Sequence, residues 1–104
     1  MLQFSLSTTG QEAELSCSAS FEISLPETPG TGFQWQMIEN GEPVCKVTHE
    51  DFQPSVGVGG QGSRHWQFQA VRVGAAEIRM ALRRSWERSA APAQSFTLRL
   101  VVKA

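Results

Sequence analysis

The chain reads as an all-β protein, a sandwich of two antiparallel sheets made from about seven to eight short strands. Three observations predict this. Apolar residues recur with a period of two, the mark of strands that turn one face to a core and one to water. Clusters of Gly, Pro, Asn and Ser interrupt the runs at the spacing of short strands. No segment carries a helical stripe, and there is no internal repeat or linker.

In chain order, Leu2, Phe4 and Leu6 form the first alternating run, and Thr9-Gly10 ends it. Ala13, Leu15 and Cys17 form the second, and Phe21, Ile23 and Leu25 the third. The stretch from Pro26 to Gly32 then breaks the pattern, before Phe33, Trp35 and Met37 resume it up to Asn40-Gly41. Pro54 to Gly62 is a second break, followed by Trp66, Phe68 and Ala70. Gly74 opens the way to Ile78, Met80 and Leu82, Ser89 to Pro92 is a third break, and Phe96, Leu98, Leu100 and Val102 close the series. Trp35 and Trp66, mid-strand among apolar neighbours, are assigned to the core.

At 104 residues there is length for one domain, spanning 1–104, with a modest core that folds without needing disulfides. Nine basic against ten acidic residues leave the chain almost neutral. No strong basic field exists to hold a nucleic acid or an anionic membrane. Asp51 is the only aspartate, which argues against a multi-carboxylate calcium or magnesium cage. The N-terminal Met1-Leu2-Gln3-Phe4-Ser5 has no basic n-region and no continuous apolar h-region. The expectation is therefore a cytoplasmic protein as the chain is written, or a secreted or periplasmic one where a leader has been removed. No run approaches the length of a membrane span, and the free protein is expected to be a monomer.

Catalysis finds little support. Cys45 and His49, if extended, lie on one face roughly 13 Å apart at about 3.3 Å per residue, beyond thiolate–imidazolium reach. Folding could bring His65 near either cysteine, but nothing in the spacing says so. Cys17 and Cys45 read as small buried hydrophobes, with a disulfide or a reactive thiol as the alternatives. They lack zinc-ligand spacing. Cys45 follows Trp35 by only ten residues, so the inter-sheet disulfide of antibody domains is ruled out and an immunoglobulin-like sandwich without it remains. In His49-Glu50-Asp51 successive strand side chains point to opposite faces and do not converge on a metal. There is no phosphate-cradling loop leading into a helix and no nucleophile elbow. No metal and no cofactor are expected, and no enzymatic activity.

Three loops have unusual chemistry instead. In Thr28-Pro29-Gly30-Thr31-Gly32-Phe33, proline fixes φ and glycine permits φ > 0, so Pro29-Gly30 suits the centre of a type II turn. Such a stiff loop is preorganised for binding, or is a plain connection. Gly57-Val58-Gly59-Gly60, with Gly62 beyond, exposes backbone to an extended partner, or is a flexible hairpin tip. In Arg84-Ser85-Trp86-Glu87 an Arg and a Trp stand at a loop entrance, residue types enriched in binding hot spots, or Trp86, four residues past Leu82, continues the inward phase as a core tryptophan. Arg83 and Arg88 read as a solvated strand end.

These loops, in this order, resemble the chagasin family of cysteine-peptidase inhibitors, with the likeness running from about Phe21 to Val102. The family's first motif reads Asn-Pro-Thr-Thr-Gly, then an aromatic and, two on, a tryptophan; here Phe33 and Trp35 follow Gly32. Its second, Gly-X-Gly-Gly, matches Gly57 to Gly60, with Gly59 to Gly62 as the alternative register. Its third, Arg-Pro-Trp, fits Arg84-Ser85-Trp86 with the proline replaced. Thr28 stands in the place of asparagine, and Gly30 in that of a threonine at the tip facing the peptidase's catalytic centre. The resemblance implies an immunoglobulin-like sandwich that inhibits papain-like or cathepsin L-like cysteine peptidases reversibly. Its three loops would gather at one end as a wedge, entering the substrate cleft without offering a cleavable bond. The peptidase-binding residues it implies are Thr28 to Phe33, Gly57 to Gly60, and Arg84, Ser85 and Trp86. The alternative is a non-inhibitory module that binds a protein or carbohydrate through the same loops.

Overall fold

Period-two alternation needs a second sheet to cover each inward face, and the computed structural model meets that need with two four-stranded sheets packed face to face. It describes residues 2–54, 61–84 and 91–104. The strands are β1 (Leu2–Ser5), β2 (Gln11–Ser16), β3 (Ser20–Glu27), β4 (Phe33–Asn40), β5 (Cys45–Pro54), β6 (Gly62–Ala70), β7 (Gly74–Arg84) and β8 (Gln94–Lys103). One sheet has the order β1-β3-β6-β5, the other β2-β8-β7-β4.

The inward residues are those of the alternating runs. Phe21, Ile23 and Leu25 on β3 and Trp66 and Phe68 on β6 face Trp35, Ile78, Met80, Phe96, Leu98, Leu100 and Val102 of the other sheet, all buried. Phe21 and Phe68 are register partners whose rings stack at 4.9 Å between centroids, and Phe4 meets Phe21 edge-on at 6.0 Å. Both expected core tryptophans, Trp35 and Trp66, are buried.

Three expectations need correction. The sheets are not antiparallel throughout, for β1 pairs with β3 and β2 with β8 in parallel. Leu6 does not continue β1 but starts a single 3-10 turn, Leu6–Thr8, from which the chain crosses to the other sheet. β1 and β2 are thus the two legs of an arch, each an edge beside a strand of a different sheet. The third correction is β5, a ten-residue strand that no apolar alternation announces, exposed over most of its length. It is an edge strand that carries little of the core.

The ladder slips between Met37 and Glu39 on β4 and between Val47 and His49 on β5. Both are sheet edges, where a bulge spoils the template for pairing with another chain.

Candidate functional site

Register decides where the loops lie. In the first sheet Glu27, the last residue of β3, pairs with Gly62, the first of β6, which also pairs with Pro54, the last of β5. In the second, Phe33 at the start of β4 pairs with Arg84 at the end of β7. The strand ends that root the connections 28–32, 55–61 and 85–93 therefore lie at one end of the sandwich. The first connection crosses from one sheet to the other.

The first loop is a single 3-10 turn, Pro29–Thr31. The type II turn with a left-handed Gly30 is not formed. Gly30 has no positive φ, and the left-handed residue is Gly32, at φ 82°. The reason lies in Thr31, whose hydroxyl donates to the Thr28 carbonyl at 2.7 Å and accepts the Phe33 N–H at 3.3 Å. The Thr31 N–H also donates to the Thr28 carbonyl, at 3.1 Å. These bonds wind the loop tight and move the reversal to Gly32. Gly30 and Thr31 are exposed, and Thr28 and Phe33 half-buried.

Phe33 and Arg84 face each other. The Arg84 guanidinium carbon sits 4.5 Å over the Phe33 ring, joining the root of the first loop to that of the third. Beside them an open groove of about 340 Å³ is lined by Pro26, Thr28, Thr31 and Phe33 on one side and Leu82 and Ala93 on the other. A larger hollow, about 500 Å³, lies by Asn40, Pro43 and Glu77, at the far end of β4 from these loops.

Of the other predicted contacts, Gly57, Val58, Gly59, Gly60, Ser85 and Trp86 lie outside the described residues, as does Arg88. Gly62 is placed. It is a buried strand residue with Phe52, Gln53 and Pro54 packed where a Cβ would stand, so its lack of a side chain answers to packing.

Two residues that the sequence reading did not single out hold the loop roots. Glu27 is buried; its Oε2 accepts the Trp35 backbone N–H at 3.0 Å, and its Oε1 accepts Arg64 Nε at 3.1 Å and Nη2 at 2.9 Å. Arg64 also reaches Glu50, at 3.3 Å, and lies over the Phe52 ring. The bond to Glu27, more than any other influence, raises the Arg64 pKa above its ordinary value. The Trp35 indole N–H donates to the Pro26 carbonyl at 2.8 Å. A readable signal existed: Glu27 continues the inward series Phe21, Ile23, Leu25, and Arg64 precedes Trp66 and Phe68 in theirs.

Among the described residues the remaining chemical groups do not assemble into a reactive centre. Both cysteines are free, and burial, with Glu42 nearby, pushes the Cys45 thiol up to about 11. His49 and Asp51 share the outer face at 3.4 Å, while Glu50 turns to Arg64. His65 lies on that outer face, 3.1 Å from Glu22 and 3.4 Å from Ser24. This acid–imidazole–hydroxyl series stands on interior strands, whose amide donors are committed to the ladder and leave no oxyanion site.

Comparison with known proteins adds the family. No curated protein matches the chain. Among solved structures, the cysteine protease inhibitor EhICP2 from Entamoeba histolytica superposes with a TM-score of 0.87 at 19% identity, over 98% of this chain and 94% of that one. Amebosin gives 0.77 at 23% identity, over 98% and 97%. PbICP-C, solved in complex with falcipain-2, gives 0.69 at 16% identity, over 99% and 100%. At these identities the likeness is one of fold, and it bears out the sandwich. The sequence profile described as "Chagasin family peptidase inhibitor I42" matches residues 14–100. With a match over most of its length, the chain belongs to the chagasin family of peptidase inhibitors.

Proposed function

We propose that the chain is a reversible, competitive inhibitor of papain-like cysteine peptidases, and that the loop end is the surface that enters the target's cleft. The observation that carries this reading is the register that brings the roots of all three loops to one end of the sandwich. The first loop is the central element. It spans the two sheets, its backbone is wound by Thr31, and its tip residue Gly30 stands in open space. A loop already held in shape loses little entropy on binding, and a tight 3-10 turn does not offer the extended backbone that a peptidase cleaves. Arg84, stacked on Phe33, holds the root of the third loop beside that of the first. The nearly neutral chain fits a contact made by shape, over an interface of about 1,600 Å².

The test is titration of the purified protein against papain and a cathepsin L-type peptidase with a fluorogenic substrate. Competitive, stoichiometric inhibition that survives long incubation with intact inhibitor is the expected result. Folded protein that leaves both enzymes fully active at micromolar concentration refutes the reading. Trp86→Ala is expected to weaken inhibition by about 2 kcal/mol or more and leave folding unchanged; an unchanged inhibition constant removes Trp86 from the site.

A further inference from the structure

The Glu27 carboxylate is an unusual occupant of its position. It is the only charged or polar residue among the fully buried ones described, with its side chain 1% exposed. Stability alone does not call for it, because a buried ion pair is often replaceable by apolar residues of similar volume at no loss. What an apolar residue could not do is direct hydrogen bonds to three separate donors on two strands. Glu27 does so, taking the Trp35 N–H from β4 in one sheet and two N–H groups of Arg64 from β6 in the other. β4 is an edge strand, so this N–H has no ladder partner on that side and the carboxylate supplies one.

The two donors stand at the roots of two different loops. Trp35 lies two residues past Phe33, where the first loop ends, and Arg64 two residues past Gly62, where the second ends. Arg64 reaches on to Glu50 of β5, the other leg of the second loop. We infer that Glu27 and Arg64 form a positioning clamp that fixes the span of the first loop and ties its root to the strands β5 and β6 from which the second loop springs. The clamp touches no target itself, and its effect on inhibition rests on the function proposed above; its effect on the free loop does not.

Two readouts test it. In Glu27→Gln the side chain keeps its shape and one acceptor but loses the charge opposite Arg64. Backbone amide hydrogen exchange over residues 28–35 of the free protein is expected to quicken at least ~10-fold, with β7 and β8 unchanged. Against papain, the dissociation rate is expected to rise at least ~10-fold, while the association rate moves less than ~3-fold. On an Arg64→Met background, where the carboxylate has already lost its countercharge and keeps only the Trp35 N–H, the same change is expected to add less than it does alone. Unaltered exchange in a folded Glu27→Gln variant overturns the clamp, and altered exchange with unaltered dissociation overturns its role in inhibition. Should Glu27→Gln fail to fold, Arg64→Lys, which keeps the charge but not the two-pronged contact, gives the same readouts. If the wild-type protein inhibits no papain-like peptidase, the functional reading falls, and the exchange arm still decides on the clamp.

Discussion

Two glycines at the loop end show how one residue type serves opposite purposes. A Cβ on Gly62 would come within 2.5 Å of Phe52 Cζ and of the Gln53 carbonyl, and 2.9 Å of Pro54 Cα. Two of these are backbone atoms of the paired strand and cannot swing aside, so Gly62→Ala is expected to destabilise by about 1–3 kcal/mol through overpacking. Gly30 has nothing within 4 Å and no positive φ. Gly30→Ala is therefore expected to stabilise by about 0.4–1 kcal/mol, by narrowing the unfolded ensemble. Urea midpoints of the two variants measure both, and equal midpoints would sink the distinction. The sequence shows two glycines in loops and nothing to separate them. It misplaces the turn as well, because Pro-Gly suggests a left-handed second residue while the Thr31 hydroxyl, bonded to Thr28 and Phe33, decides otherwise. Glu27 and Arg64 went unread, although opposite charges in the inward phase of strands flanking two loops are a signal that the sequence does carry.

Among the elements, alternation was readable wherever a strand has the opposite sheet beneath it. β3, β6, β7 and β8 are interior strands whose inward residues are buried, and their runs stand out in the sequence. β5 was not readable. Val47 pairs with the fully buried Phe68, yet it is 39% exposed because the edge has little above it. Selection for apolar residues lapses there. The parallel pairing of β1 and β2 was illegible for a different reason: alternation reports which face is inward, never which way a neighbour runs. The contrast within one cross-strand pair can be measured. Phe68→Ala opens a cavity against the stacked Phe21 and is expected to cost about 3–5 kcal/mol. Val47→Ala, on the exposed partner, is expected to stay within about 0.5 kcal/mol. Equal losses in denaturant unfolding would mean that β5 is packed as tightly as the strands inside the sheet.

For the molecule as a whole, the sandwich acts as a frame that imposes one shape on a short segment. The first loop's ends are fixed by different sheets, β3 on one side and β4 on the other, and the Glu27–Trp35 and Pro26–Trp35 bonds set their separation. A free peptide of residues 26–34 keeps the sequence and loses the frame. Ordering residues 28–32 at about 1–2 kcal/mol each then falls on the binding step, at least ~5 kcal/mol in all, or more than ~10³ in affinity. The linear peptide, blocked at both ends, is accordingly expected to inhibit papain at least ~1,000-fold more weakly than the whole protein. It is also expected to be cut, since an unframed chain can extend through the cleft as substrates do. Closing the peptide into a ring should recover part of the loss, because covalent closure replaces some of what the two sheets impose. A linear peptide that matched the intact protein, uncut, would place the inhibitory information in the nine residues alone and leave the sandwich no part in it.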